Sequence, residues 1–190
     1  MQIRIQAPLR ADQEQIEKFF ENVLTHTYKV NGISHLAEEL KDEIQEKKEK
    51  LASHFRTNGT APYFLVAKVE EKVVGTITLG KSNALIHELT KGKLDDVLEL
   101  GTIYVDPSYQ GNGIGSKLVK HMLSELQSKN EASFCLDSGF PLAQKVWRKK
   151  FGNPTYWFKN HWGEGSDHMV WHVTLLSEHA EKRASTKGSE

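Results

Sequence analysis

Three glycines within five positions form the most distinctive chemical feature of this sequence. They lie in the hexapeptide Gln110-Gly111-Asn112-Gly113-Ile114-Gly115, directly before a segment with helical spacing. The start of an α-helix leaves about four backbone N–H groups without intrahelical partners, and the helix dipole makes that end slightly positive. Because glycine lacks a Cβ atom, a ligand can approach the backbone closely. The pattern is typical of a phosphate or pyrophosphate site. A tight turn that binds nothing has a similar composition, so the flanking residues decide between the two.

The segments on either side of the hexapeptide supply the elements that a phosphate loop requires. Residues 100–105 are apolar and rich in β-branched side chains, and Asp106-Pro107 ends them, so they are predicted to form a strand. After the hexapeptide, apolar residues recur at helical spacing. These apolar positions are Ile114, Leu118, Val119, Met122, Leu123 and Leu126. The order strand, glycine loop, helix favours the phosphate site.

Two common phosphate-binding motifs do not fit the loop. A Walker loop ends in Gly-Lys-Ser/Thr, whereas this chain has Gly115-Ser116-Lys117, with the last two residues inverted. A dinucleotide fingerprint requires G-x-G-x-x-G; Gly111 and Gly113 match it, but Ser116 occupies the third glycine position. A different nucleotide-binding site is therefore disfavoured.

The loop resembles the pyrophosphate loop of the GNAT (Gcn5-related) N-acetyltransferases, which bind acetyl-coenzyme A. Gln110, Gly113 and Gly115 match the pattern Gln/Arg-x-x-Gly-x-Gly/Ala, and Leu-x-x-Ile-Tyr-Val-Asp-Pro precedes it. The motif is specific over residues 99–126, and the expected topology resembles the family over residues 3–174. The resemblance implies an acetyl-CoA-dependent N-acetyltransferase, and the alternative is a non-catalytic acyl-CoA-binding or sensing module of the same fold.

The resemblance also implies where the cofactor would bind. Family members hold pantetheine through backbone groups of the central strand, and the matching residues here are Ile103, Tyr104 and Val105. The pyrophosphate would lie on the N–H groups of Gly111, Asn112, Gly113, Ile114, Gly115 and Ser116, with Gln110 shaping the approach to them. Ser138 would replace, as a polar contact to pantetheine, an asparagine that relatives often carry at position 140.

Acetyl transfer by direct attack of a primary amine on the thioester raises two proton requirements. The amine must lose a proton, and the departing thiolate must gain one or be stabilised. Glu99, at the head of the central strand, is the first candidate for the base, and Asp137 is a weaker one. Relatives often place a tyrosine near the sulfur, but Trp147 occupies that position here, and an indole cannot supply a proton at neutral pH. Either Tyr156 or another nearby group acts as the acid, or no side chain does.

The acceptor amine, a small molecule or a peptide, is the part least determined by the sequence. Aromatic residues that could line its site and acidic residues that could attract a cationic amine are Tyr28, Tyr156, Trp157, His161, Trp162, Asp95 and Asp96. For each of them, ordinary packing or solvation is the competing interpretation.

Composition excludes several other classes of function. Lysine plus arginine and aspartate plus glutamate each number 25, which gives no net charge to attract nucleic acid or a membrane. No apolar run approaches the roughly 20 residues of a membrane helix, and the N-terminus does not resemble a secretion signal. The single cysteine excludes an intrachain disulfide, and the nine histidines lack metal-ligand spacing. We expect a cytoplasmic protein without a metal, and a homodimer only by analogy.

Periodicity predicts the remaining elements. Strands are expected at residues 1–6, 63–69, 73–79, 132–136, 156–158 and 168–175, and helices at 12–25, 34–56 and 141–150. Residues 81–96 are predicted to contain a short helix or a flap, residues 41–50 a solvated helix surface, and His54 an exposed position. The fold expected is α/β: a mixed, mostly antiparallel sheet of about six to seven strands flanked by about four helices, with a parallel crossover around the loop. Residues 1–176 would form one acetyltransferase domain, and 177–190 a flexible tail.

Overall fold

A computed structural model describes residues 1–175 of the chain. The strands are β1 (Ile3–Gln6), β2 (Tyr63–Val69), β3 (Lys72–Lys81), β4 (Leu98–Val105), β5 (Ser133–Ser138), β6 (Tyr156–Phe158) and β7 (His168–Thr174). The α-helices are α1 (Gln13–Val30), α2 (Ala37–Arg56), α3 (Ala84–Thr90), α4 (Ile114–Ser128) and α5 (Pro141–Phe151). The predicted tail at 177–190 lies outside the described residues.

The seven strands form one sheet in the order β1-β2-β3-β4-β5-β7-β6. The sheet is mostly antiparallel, and β4 with β5 is its one parallel pair. The chain passes from β4 through α4 to β5, as a parallel connection requires. This confirms the mixed α/β sheet with a parallel crossover.

The chain divides into two compact units, of which the first comprises Met1–Lys81 and Leu100–Met122. Its core lies where the apolar faces of α1 and α2 pack on β2 and β3. The buried members are Ile16, Phe19, Phe20, Val23, Leu24, Leu51, Phe64, Val66 and Val73. Helix α1 extends to Val30, beyond the predicted end at residue 25, because Tyr28 continues its buried face one turn after Leu24.

His54 corrects the expectation of an exposed position on α2. Its side chain is buried, and Nδ1 lies 3.1 Å from the carbonyl oxygen of Pro62 and 3.3 Å from the amide nitrogen of Phe64. Burial lowers the pKa of His54, although the Pro62 carbonyl opposes this shift. The prediction of an exposed His54 was wrong because the ring packs against residues 62–64, where the chain enters β2.

The second unit comprises Ser82–Glu99 and the chain from Leu123 onward. Helix α3, the short helix predicted between residues 81 and 96, is capped by Asn83, whose side-chain oxygen accepts the N–H of Ile86 at 2.9 Å. Ile86 packs with Leu94, Cys135 and Val170 over β5 and β7. In this part of the chain, α3 therefore covers one face of the sheet.

Within the described residues, no helix is both long enough and apolar enough to cross a membrane.

Candidate active site

The glycine loop has the backbone geometry of an anion cradle. Gly111 and Gly113 adopt left-handed φ angles of 79° and 73°, which glycine tolerates without steric cost. A Cβ atom at either residue would have no other atom within 4 Å, so the space beside the loop is open. The i→i−4 hydrogen bonds of α4 begin with the Lys117 N–H and the Gly113 carbonyl, at 3.0 Å. The amides of the first turn therefore have no partner within the helix.

Side chains of the loop itself hold its shape. Gln110 donates from Nε2 to the carbonyl of Val105 at 3.3 Å, and Asn112 donates from Nδ2 to the carbonyls of Tyr109 and Gln110 at 3.1 and 3.2 Å. Gln110 thus ties the loop back to the end of β4. The first turn of α4 contains no acidic side chain that would compete with a bound anion.

An ion pair fixes the chain where it enters the loop. Asp106 accepts from Lys72 Nζ at 2.9 Å and from the Ser108 N–H at 2.9 Å, and its own N–H donates to Val74 at 2.9 Å. Burial alone would raise the pKa of Asp106, but the hydrogen bonds from Lys72 and Ser108 outweigh it, so the pKa lies below its usual value. Lys72 also lies 4.9 Å from the centre of the Tyr109 ring.

Gly75 allows α4 to lie close against β3. A Cβ atom at this position would lie 3.0 Å from Leu118 Cδ1, 3.1 Å from Ile114 Cγ2 and 3.2 Å from the Tyr104 carbonyl. The β2–β3 register also shifts beside Gly75, between the pairs Ala67–Gly75 and Lys68–Val73. The loop and the start of α4 therefore depend on the absence of a side chain at Gly75.

Strand β4 carries a strained residue just before its predicted cofactor-binding segment. Thr102 has a φ of 50°, an outlier for a β-branched residue, which costs about 1–3 kcal/mol. Its carbonyl accepts from Thr76 Oγ1 at 2.9 Å, while its own buried hydroxyl has no hydrogen-bond partner among residues 1–175. Nothing in the sequence pattern predicted this conformation.

The three residues after Thr102 form the segment of β4 predicted to bind pantetheine. Ile103, Tyr104 and Val105 are all half-buried. The Tyr104 hydroxyl donates to Glu43 at 2.9 Å, and Tyr28 donates to the other oxygen of the same carboxylate at 3.0 Å. Burial, and then the charge of Glu43, raises the pKa of Tyr104 well above its usual value. Residues 41–50 of α2, predicted as a solvated surface, thus include one half-buried carboxylate that holds two tyrosines.

The candidate base lies in the second unit. Glu99 is only 6% exposed and accepts the backbone N–H of Asn83 at 2.7 Å. Asn83 also donates from Nδ2 to Asp137 Oδ1 at 3.2 Å. Glu99 pairs in register with Cys135, two residues before Asp137, so one asparagine links the two carboxylates that were candidates for the base.

Cys135, between these carboxylates in the sheet, remains a thiol at neutral pH. Burial, followed by the charges of Glu99 and Asp137, raises its pKa to about 12. At pH 7 roughly one molecule in 10⁵ would therefore carry the nucleophilic thiolate.

The other predicted residues of this unit have local packing roles. Tyr156 stacks on Phe158 with 6.3 Å between ring centres, and it pairs in register with Val170, which pairs in turn with Asp137. Tyr156 is thus two strand spacings, about 10 Å, from Asp137. Trp147 is buried and stacks on Phe151 at 6.0 Å, and Ser138 Oγ accepts the N–H of Phe140 at 3.2 Å.

Tyr28, considered for the acceptor site, is buried and packs in the helix core instead. The other aromatic and acidic candidates are partly or largely exposed: Tyr156, Trp157, His161, Trp162, Asp95 and Asp96. Trp157 donates to Asp167 at 2.6 Å, and Trp162 donates to His168 at 3.1 Å. Asp95 accepts from His87 through both oxygens, at 2.8 and 2.9 Å. No group of three or more histidine, cysteine, aspartate or glutamate side chains within residues 1–175 could hold a metal ion.

Sequence reasoning missed Asn83, Glu43 and His168. Asn83 lay in a segment predicted only as a helix or flap, Glu43 in a run of mixed charge, and His168 among nine scattered histidines. The cap position of Asn83 before a helical segment was the one available signal.

A protein-family comparison matches residues 27–152 to the acetyltransferase (GNAT) family. The chain belongs to the GNAT family. No curated protein sequence that was compared matches this GNAT chain significantly.

Solved structures show the same fold at low sequence identity. The PaiA N-acetyltransferase from Thermoplasma acidophilum, in complex with coenzyme A, is 22% identical, with a TM-score of 0.67 over 92% of this chain and 100% of that chain. The ribosomal-protein-alanine N-acetyltransferase from Brucella melitensis is 18% identical, with a TM-score of 0.63 over 90% and 99%. The putative acetyltransferase yncA from Salmonella typhimurium, with acetyl-CoA, is 16% identical, with a TM-score of 0.64 over 93% and 95%.

Proposed function

We propose that this GNAT chain is an N-acetyltransferase that moves the acetyl group of acetyl-CoA directly to a primary amine in a ternary complex. The observation that carries the proposal is the loop at residues 110–116, whose left-handed glycines border open space at the start of α4. Family membership makes acetyl-CoA the expected cosubstrate.

The loop residues Gly111, Asn112, Gly113, Ile114, Gly115 and Ser116 would hold the pyrophosphate through backbone N–H groups. A hydrogen bond to a charged group contributes about 1.5–3 kcal/mol, so a few of them anchor a cofactor. Ile103, Tyr104 and Val105 would bind pantetheine through their backbone. In the parallel β4–β5 pair, Glu99 is in register with Cys135. Ser138 would be a further polar contact.

Direct attack fits the state of the cysteine. A two-step reaction would need a nucleophile that carries the acetyl group, and burial keeps the Cys135 thiol protonated. Glu99 would take the proton from the amine, directly or through water. Tyr156 would protonate the thiolate, or the thiolate would leave without a side-chain acid, since Trp147 cannot supply a proton.

The acceptor is proposed only as a small-molecule or peptide amine. The names of two of the solved structures include an N-acetyltransferase of ribosomal-protein alanine and aminoglycoside 6'-acetyltransferase, which act on a protein and on a small molecule respectively. This chain is under 25% identical to both, so neither acceptor is transferred to it. A cytoplasmic location and a homodimer remain predictions.

One observation favours the second candidate, a non-catalytic acyl-CoA-binding module. Trp147 occupies the usual tyrosine position and is buried against Phe151 rather than exposed to a ligand. Such a module would bind acetyl-CoA and release no thiol.

Calorimetry of the wild type and Gly113→Glu with coenzyme A tests the loop. The added carboxylate would fill the open space with negative charge and abolish binding. Gly32→Glu is the matched control, because Gly32 also has a left-handed φ, 71°, and open space around its Cβ position, but it lies in the turn between α1 and α2. Unchanged binding by Gly113→Glu would reject the site.

Turnover then separates the enzyme from the binding module. Thiol release from acetyl-CoA would be followed with propylamine, spermidine, kanamycin and a peptide that begins with alanine. Acceleration by any of these amines supports the transferase. Tight binding of acetyl-CoA without release in a broad set of amines supports the module.

A further inference from the structure

The ring of His168 is held between a carboxylate and an indole. It opens β7, is 3% exposed, and its Nε2 lies 3.0 Å from Asp137 Oδ2. On the other side of the ring, the Trp162 indole nitrogen lies 3.1 Å from Nδ1. Both ring nitrogens therefore have a defined partner.

These partners determine the position of the ring proton. An indole N–H donates and cannot accept, so Nδ1 must present its lone pair to Trp162. Nε2 then carries the hydrogen and donates it to Asp137. A neutral imidazole oriented by a carboxylate, with the lone pair on the opposite nitrogen, is the arrangement of a histidine general base.

The same carboxylate connects His168 to the proposed base. Asp137 accepts from Asn83 through its second oxygen, and the backbone N–H of Asn83 donates to Glu99. Asp137 also directly precedes Ser138, a proposed contact of pantetheine. The strands beside β7 carry the ionisable groups Cys135 and Asp137 on β5 and Tyr156 on β6, and β7 itself also carries His172. Glu99 lies one strand further, on β4, and His161 faces His168 from the loop with 5.7 Å between ring centres.

The indole that covers Nδ1 is itself largely exposed. Trp162 is 56% exposed and lies in the turn between β6 and β7, where its backbone N–H donates to the Ser166 carbonyl at 3.0 Å. It fits against Gly139, since a Cβ atom there would lie 2.8 Å from the indole nitrogen. The indole N–H of an exposed side chain, Trp162, thus donates to the Nδ1 lone pair of the buried His168.

We propose that His168 is a catalytic proton acceptor for acetyl transfer, and that the indole N–H of Trp162 occupies the position that the acceptor's ammonium group takes. This inference rests on the proposed function. Displacement of the indole brings an N–H of the ammonium against Nδ1, with Asp137 stabilising the imidazolium that forms. Asn83 is a positioning residue, which holds Asp137 beside Glu99.

The proton balance is complete without another reactant. The ammonium group gives one proton to His168 Nδ1, and the neutral amine attacks the acetyl carbonyl. The C–N bond forms and the C–S bond breaks while Glu99, directly or through water, takes the second proton lost by the nitrogen and passes it to the solvent. The thiolate is protonated by Tyr156 or, after it leaves, by the solvent. His168 then returns its proton to the solvent.

Nitrogen-15 NMR of the imidazole tests the arrangement in the wild type. At pH 7 we expect the hydrogen on Nε2 of His168 and a through-hydrogen-bond coupling from Nδ1 to the Trp162 indole nitrogen. Saturation with the most active amine of the panel should remove that coupling. A hydrogen on Nδ1, or a coupling that persists at saturation, would overturn the proposal.

Kinetics of His168→Gln test the proton transfer. Glutamine keeps a donor toward Asp137 but removes the Nδ1 lone pair, so kcat should fall about 100-fold or more at pH 7. The rate of the variant should then rise about tenfold per pH unit, because the amine must arrive already deprotonated. His172→Gln is the matched control, since His172 lies four residues later in β7 and contacts Ser133. A kcat within twofold of the wild type would exclude His168.

Calorimetry with coenzyme A distinguishes failure of the proposed function from failure of the His168 inference. If the wild type does not bind coenzyme A, or shows no turnover with any amine, the proposed function is rejected. Normal binding and turnover with a fully active His168→Gln rejects only the present inference. If the variant fails to fold, the tautomer and the coupling in the wild type still decide.

Discussion

At the scale of single residues, the proposed chemistry depends on carboxylates held by their neighbours. Glu99 is buried and accepts from the backbone of Asn83, and Asp137 accepts from Asn83 and His168. These hydrogen bonds fix the orientation of each carboxylate. A base that is held in position loses little freedom when the acceptor binds.

Glu99→Gln should lower kcat about 10²- to 10⁴-fold at neutral pH. Glutamine keeps an oxygen that can accept the Asn83 N–H, so coenzyme A affinity should remain unchanged. Thiol release and calorimetry measure the two quantities. An unchanged kcat would remove Glu99 from the proposed mechanism.

At the scale of elements, the loop depends on how β3 supports β4 and α4. Lys72 and Gly75 both lie in β3: one pairs with the residue that ends β4, and the other allows α4 to approach. Within the loop, the Cβ positions of Gly111 and Gly113 have open space around them, whereas Ile114 is buried at the Gly75 contact. Changes in β3 should therefore affect coenzyme A binding although β3 contributes none of the residues proposed to hold the ligand.

Lys72→Met should lower the free energy of unfolding by about 0.5 kcal/mol at pH 7, because the pair with Asp106 is partly exposed. The folded pKa of Asp106 lies below its usual value, so this contribution is present above the unfolded pKa of about 3.9 and is lost as the pH falls through the folded pKa. Urea unfolding at neutral and acidic pH measures the difference. Lys41→Met, which breaks an exposed pair with Glu38, is the control. A difference that persists at acidic pH would contradict this account.

Gly75→Val should destabilise the protein by about 1–3 kcal/mol and weaken coenzyme A binding. The new side chain must displace Leu118 and Ile114, which shifts the start of α4 away from the loop. Gly75→Ala should produce smaller changes in the same direction. Chemical denaturation and calorimetry provide the measurements, and full affinity in Gly75→Val would show that the loop does not depend on this contact.

At the scale of the whole molecule, the effect of a ligand on thermal unfolding should show whether the chain unfolds as one cooperative unit. The described chain contains two compact units, and the sequence predicts one acetyltransferase domain over residues 1–176. A ligand that binds only the folded state stabilises whatever unfolds together with its site.

Coenzyme A at about 100 times its dissociation constant should stabilise the wild type by about 2.7 kcal/mol. For a chain of this size, that raises the melting temperature by roughly 5–10 °C. Gly113→Glu should show no increase. Scanning calorimetry should give one transition if the single-domain prediction holds, whereas two transitions, only one of them shifted by coenzyme A, would contradict it.

The sequence by itself determined the elements and the loop, because both are local patterns. Alternation and helical spacing predicted most helices and strands to within a few residues, and the glycine hexapeptide predicted an anion-binding loop before α4, where the structure has a glycine turn beside open space. The same local reasoning misplaced His54 and overlooked Glu43, since burial depends on what packs across from a residue. The periodicity of a segment does not show which other segment packs against it.

Only the tertiary structure decided which side chains meet around the candidate base. Asn83, Glu99, Asp137 and His168 come from four separate parts of the chain, and the strand order places β4, β5 and β7 side by side. Their hydrogen bonds follow from strand register and from the position of α3. Register is set by the packing of the whole sheet, so no single segment encodes it.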